Sequence, residues 1–133
     1  MNPVWPYVWV FFGAGVGGAL RHAANRVGFA LIGPGFPAGT LFVNLVGCFA
    51  MGALTGWFAF RGEASNQALR LFLATGVLGG FTTFSAFSLD TALMWERGQA
   101  ELTFGYVLVS VLGGVAGVFG GLALSRAAFG PGA

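Results

Sequence analysis

Hydrophobic residues fill four long runs of this chain, and short polar or turn-rich links separate the runs. A helix needs about 20 apolar residues to cross a hydrocarbon core. Each run reaches that length, and we predict transmembrane helices over roughly residues 4–24, 38–60, 68–95 and 102–125. The links are too short to hold a soluble domain. The pattern therefore predicts one all-α integral membrane domain over residues 1–133.

The third run differs from the others because polar residues interrupt it, in the stretch "GGFTTFSAFS". One straight helix over this run would be longer than the bilayer core is thick. Glycine has a low helix propensity, and threonine and serine hydroxyls can bond the backbone groups that a break sets free. We predict a break within residues 79–83. The carbonyl end of a broken helix attracts cations and the amide end attracts anions. The alternative is a helix kinked only for packing.

Polar and small residues also follow one face of two other predicted helices. In the second helix this face holds Thr40, Asn44, Gly47 or Cys48, Met51 and Thr55. In the fourth helix, Tyr106 and Ser110 stand one turn apart, and a strip of glycines follows at positions 113, 117 and 121. Each feature alone fits helix packing or an interhelical hydrogen bond. Together with a broken helix, they indicate a polar path through the membrane.

Composition and charge exclude several other classes of protein. Of the 133 residues, 56% are hydrophobic and 8% are charged, whereas soluble domains carry about a quarter charged residues. The arginines are scattered, which argues against nucleic acid as a partner. His22 has no metal-ligating neighbour in sequence, and Asp90 is the one acid inside a predicted span. No nucleophile is paired with a base, so an enzyme is not expected.

Three stretches carry a resemblance that extends over the whole chain: "GGALRHAANR", "GTLFVNLVGCFAMG" and "GVLGGFTTFSAFSLD". On these motifs the sequence resembles the Fluc (CrcB) family of small bacterial fluoride channels. The resemblance implies an antiparallel, dual-topology homodimer in the bacterial inner membrane. Such a dimer would carry two fluoride pathways and a structural Na⁺ at its centre. Its activity would be passive fluoride export that confers fluoride resistance.

The resemblance also implies roles for individual residues. Asn44 would be the pore amide, Phe84 and Phe87 the pore-lining rings, and Ser85 a hydroxyl in the pathway. The remaining implied site residues are Tyr106 and Ser110 on the polar track, Arg21 in the vestibule, and Gly79 and Thr82 as carbonyl ligands of Na⁺. The chain departs from the family pattern at Ala86, Asp90 and His22. These departures bear on rate and on the vestibule.

The distribution of arginines addresses the topology independently of the resemblance. Four spans would place arginines 61, 70 and 126 on one side of the membrane and arginines 21, 26 and 97 on the other. Orientation follows the imbalance of such charges, and three against three predicts insertion both ways.

Two alternatives to a channel are a proton-coupled small multidrug exporter, which needs a carboxylate in the first helix, and a membrane subunit that transports nothing.

Overall fold

The computed structural model describes residues 2–61 and 66–132, and this part of the chain is helical without a strand. We number the helices α1 (Trp5–Ile32), α2 (Ala38–Phe60), α3 (residues 67–81), α4 (Phe84–Glu96) and α5 (Ala100–Phe129). Within α3, the segment Leu71–Leu78 has the wider turns of a π-helix. The predicted third helix therefore consists of α3 and α4, which are separated by a break.

Helix α1 is longer than the sequence pattern predicts, because it continues eight residues past the expected end at residue 24. It stops at Gly33, whose φ of 93° is a conformation that glycine adopts readily. Pro34 follows and cannot continue the helical hydrogen bonding. Arg21 and His22 consequently lie inside the helix rather than at its end. The other predicted bounds differ from the observed ones by at most four residues.

Within the described residues, three segments are long and apolar enough to cross a membrane: Ala38–Phe60, Gln67–Glu96 and Ala100–Phe129. Helix α1 has 28 residues and hence sufficient length, but its second half carries Arg21 and Arg26. Large apolar side chains face outward, as in Phe11 and Phe104, which are 72% and 63% exposed. This distribution is typical of a protein whose exterior contacts lipid.

Close helix packing depends on glycines at several pairs of helices. A methyl group at Gly52 of α2 would overlap the carbonyl of Val118, and one at Gly121 of α5 would overlap the carbonyl of Phe49. On the other side, Gly13 of α1 meets Gly76 of α3 backbone to backbone. The predicted role of the α5 glycine strip in helix approach is confirmed at Gly121, whereas a methyl group at Gly117 would make only ordinary contacts with α2.

Candidate functional site

The break between α3 and α4 lies at Thr82 and Thr83, inside the predicted interval. Both residues have extended backbone conformations, with ψ angles of 155° and 121°. The Thr82 hydroxyl donates to the Leu78 carbonyl over 3.0 Å. The Thr83 hydroxyl caps α4 by accepting from the Ala86 N–H over 3.1 Å. The predicted use of threonine hydroxyls at the break is confirmed.

The two glycines before the break do not cause it, contrary to the expectation from their low helix propensity. Gly79 and Gly80 both lie within the last turn of α3. A methyl group at Gly80 would lie 2.5 Å from the Ala14 carbonyl oxygen, so this glycine lets α3 approach α1. Packing explains Gly80, and the chain leaves the helix two residues later.

Asn44 of α2 holds the break in place through two hydrogen bonds to one residue. Its side-chain Oδ1 accepts from the Thr83 N–H over 2.8 Å, and its Nδ2 donates to the Thr83 carbonyl over 3.0 Å. Only this orientation of the amide satisfies both backbone groups. The bond to Asn44 diverts the Thr83 N–H, which would otherwise continue the helix to the carbonyl of Gly79. An amide nitrogen has two N–H groups, and this arrangement uses one of them.

A cavity of about 280 Å³ opens beside the break. Its walls are formed by Asn44, Cys48, Thr82, Thr83, Phe84, Phe87, Ser110 and Val111. Four of the residues predicted to line the fluoride pathway therefore lie around one cavity and come from three helices: Asn44, Phe84, Phe87 and Ser110. Among the residues that the structure describes, the Ser110 hydroxyl oxygen is buried and has no hydrogen-bond partner. An unpaired buried hydroxyl costs free energy unless a ligand or water satisfies it.

Aromatic rings line one side of this cavity and continue beyond it. The ring centroids of Phe84 and Phe87 are 5.7 Å apart, and those of Phe87 and Tyr106 are 5.3 Å apart. Phe36 packs edge to face on Tyr106 at 5.7 Å. An aromatic ring is positive at its edge, so a row of rings can offer edges to an anion. Phe84, which lines the cavity, is 79% exposed.

Tyr106 does not line the cavity beside the break. Its ring is 2% exposed, and its hydroxyl donates to Oδ2 of Asp90 over 3.1 Å. Asp90 belongs to a second cavity, of about 380 Å³, which it lines together with Asn25, Thr40 and Arg97. None of these four residues was predicted as a site residue. Two signals were available in the sequence: Thr40 lies on the polar face of the second helix, one turn before Asn44, and Asp90 is the one acid inside a predicted span.

Two further predicted residues lie outside both cavities. Ser85 directs its hydroxyl toward that of Thr83, at 3.3 Å between the oxygens. Arg21 is half-buried within α1 and lines neither cavity. In the described part of the chain, no three His, Cys, Asp or Glu residues cluster as metal ligands.

The arrangement defines the class of an all-helical membrane protein with a polar and aromatic cavity at a helix break. The sequence profile of the family described as "CrcB-like protein, Camphor Resistance (CrcB)" matches residues 8–122. This match covers most of the chain, and the protein belongs to the CrcB family.

Proteins named fluoride-specific ion channel FluC are similar to this chain over nearly their whole length. The one from Rhodopseudomonas palustris (strain BisB5) is 53% identical over 121 residues, which is 91% of this chain and 97% of that protein. The one from Methylobacterium nodulans is 57% identical over 117 residues, or 88% of this chain and 93% of that protein. The one from Beijerinckia indica is 55% identical over 118 residues, with the same two shares.

Proposed function

We propose that this protein is a fluoride-selective channel that lets fluoride leave the cell passively. The observation that carries the proposal is the cavity at the break, where Asn44, Ser110 and two phenylalanine rings converge. The names of the relatives point to the same ion.

Fluoride is small and strongly hydrated, so a selective path has to replace its water with closely placed donors. The second N–H of Asn44 and the unpaired hydroxyl of Ser110 supply two donors at the cavity wall. The edges of Phe84 and Phe87 add positive potential while keeping the path narrow. Tyr106 does not offer its hydroxyl to fluoride in this proposal, because that hydroxyl is bonded to Asp90. Tyr106 instead contributes its ring, which packs on Phe87.

Passive flow fits the absence of a coupling group on the first helix. A proton-coupled exporter would need a buried carboxylate there, and α1 contains no acidic residue over its full length, Trp5–Ile32. An inside-negative potential drives an anion outward with about 2.3 kcal/mol per 100 mV. We place the protein in the bacterial inner membrane and assign it no enzymatic activity.

We further propose four spans and an antiparallel, dual-topology homodimer. Helix α1 provides the fourth span, since its 28 residues exceed the length a bilayer requires. An ion path cannot open to lipid, and the 79% exposure of Phe84 therefore calls for a second chain to close it. The test is a single cysteine in the polar link between the second and third predicted spans, residues 61–67, with Cys48→Ser as background. An impermeant reagent on intact cells should label about half of the chains; labelling of nearly all or none would contradict dual topology.

A structural Na⁺ at the dimer centre also fits the geometry of the break. The carbonyls of Gly79 and Thr82 lie at the end of α3, where the helical ladder stops because the Thr83 N–H bonds to Asn44. Carbonyl oxygens are suitable ligands for a hard cation. The ion would hold two such ends together on the two-fold axis.

Growth of a fluoride-sensitive bacterium tests the proposed function in cells. A strain that lacks its own fluoride channel should grow on fluoride when it makes this protein, because the trapped anion can leave. The strain expressing the Asn44→Ala variant should remain sensitive at equal protein level. Continued sensitivity with the wild-type protein present in the membrane would contradict the proposal, and would favour a membrane subunit that transports nothing.

A further inference from the structure

Gly47 of α2 faces the break from the same side as Asn44, three residues further along the helix. It is buried, and a methyl group at its Cα would overlap the Cγ2 methyl of Thr82. The same methyl would lie 3.4 Å from the ring of Phe81, which is an ordinary contact. The obstacle to any side chain at position 47 is therefore one identifiable atom of the break.

Thr82 has little freedom to avoid such a side chain. Its hydroxyl is bonded to the Leu78 carbonyl, which fixes the rotamer and thereby the direction of the methyl group. Its neighbour Thr83 is held by both hydrogen bonds from Asn44. On α1, Ala14 meets Gly80 at backbone distance, so the end of α3 is also confined there. A larger residue at position 47 would have to displace the break itself.

The other close-packed glycines of α2 have different neighbours. A methyl group at Gly39 would meet Asn25 of α1, and methyl groups at Gly52 and Gly56 would meet Val118 and Ser125 of α5. Gly47 meets Thr82, which is part of the wall of the cavity beside the break. A general need for small residues on α2 therefore does not explain Gly47 by itself.

We propose that Gly47 is a positioning residue for the ion path. The missing side chain makes a notch that seats the Thr82 methyl, and Asn44 fastens Thr83 beside it. Together they fix the direction in which Phe84 leaves the break, and so the shape of the cavity that Phe84 and Thr83 line. This inference rests on the proposed channel function.

The test is a double-mutant cycle between Gly47→Ala and Thr82→Ser, read as fluoride efflux from liposomes. Gly47→Ala should lower the efflux at least about tenfold, because overpacking a tight contact displaces its neighbours. Thr82→Ser removes the obstructing methyl but keeps the hydroxyl bond to Leu78, and its own efflux rate is the reference for the double variant. The double variant should regain the Thr82→Ser rate. Gly15→Ala is the matched control, since Gly15 of α1 faces open space.

Three results would overturn the inference: full efflux in Gly47→Ala, no recovery in the double variant, or an equal loss in Gly15→Ala. Should Gly47→Ala fail to assemble, the double variant decides. Recovery of assembly together with efflux supports the notch, and recovery of assembly without efflux contradicts it. A wild-type protein that moves no fluoride would instead refute the channel function. In that case the same rescue, read as the melting temperature of the purified protein, still decides whether the notch exists.

Discussion

Replacing Asn44 with alanine removes the two hydrogen bonds that hold Thr83 and leaves its N–H and carbonyl without partners. An orphaned buried polar group costs about 1–3 kcal/mol, so two of them cost about 2–6 kcal/mol. Thr83 is 8% exposed, but it borders a cavity of about 280 Å³ that can admit water, which favours the lower half of this range. We therefore expect Asn44→Ala to destabilise each subunit by about 2–4 kcal/mol.

Asn44 has two proposed roles: it holds the break in place and it donates to the ion. The melting temperature, the rate of fluoride efflux and one further variant separate these roles. Asn44→Ala should lower the melting temperature of the purified protein by roughly 5 °C or more, and fluoride efflux at least about tenfold. Asn44→Asp keeps an acceptor for the Thr83 N–H but loses the donor and adds negative charge. It should therefore conduct as poorly as the alanine variant, and its melting temperature shows whether the retained bond to the Thr83 N–H outweighs the repulsion between the carboxylate and the Thr83 carbonyl.

Cys48→Ala is the matched control, because Cys48 lies one turn along α2 and lines the same cavity. Cys48→Ala should change neither the melting temperature nor the fluoride efflux appreciably. Wild-type melting and efflux in Asn44→Ala would refute the reasoning, since no other described contact of Asn44 is needed to explain its place at the break.

Three further predictions concern the walls of the two cavities. Phe87→Ile keeps the apolar bulk but removes the ring edge, and should lower fluoride efflux at least about tenfold in an assembled protein. The control Phe11→Ile, on the outer face of α1, should not lower efflux. Equal effects of the two substitutions would make Phe87 a packing residue. Ser110→Ala removes an unpaired buried hydroxyl, so efflux should fall several-fold with no loss of melting temperature, and a fall in melting temperature alone would contradict a pathway role. Tyr106→Phe leaves the Asp90 carboxylate without its donor and should cost about 1–3 kcal/mol of stability. Adding Asp90→Ala should recover part of that loss, and a further loss would show that the pair is not coupled.

The break could be predicted from the sequence because its signals are local. A run too long for one span, glycines of low helix propensity and hydroxyls that can bond freed backbone groups restricted the break to five positions, and Thr82 and Thr83 are two of them. The assignment of the break to the glycines was wrong for a non-local reason. Gly80 stays helical, and α1 packs so closely against it that no side chain would fit. Helix propensity carries no information about a neighbouring helix.

The partners of polar side chains were the least accessible feature of the site. Asn44 was predicted to lie on the polar face of the second helix, yet its bonds go to the backbone of a residue 39 positions away. Nothing in the local pattern of α2 specifies which helix that amide meets. The same holds for Tyr106, whose hydroxyl was expected on the ion path and bonds to Asp90 instead. The end of α1 was missed because charged residues at 21 and 26 do not stop a helix, whereas Gly33 does.

Fluoride efflux from liposomes that contain only this protein tests the central claim most directly. The vesicles are loaded with potassium fluoride, diluted into fluoride-free medium, and followed with a fluoride electrode. Efflux should begin when a potassium ionophore provides the counter-current, because the channel carries charge and is not coupled to protons. Vesicles loaded with potassium chloride should release almost none of their anion under the same conditions. Equal release of the two anions, or no release of fluoride, would contradict the account.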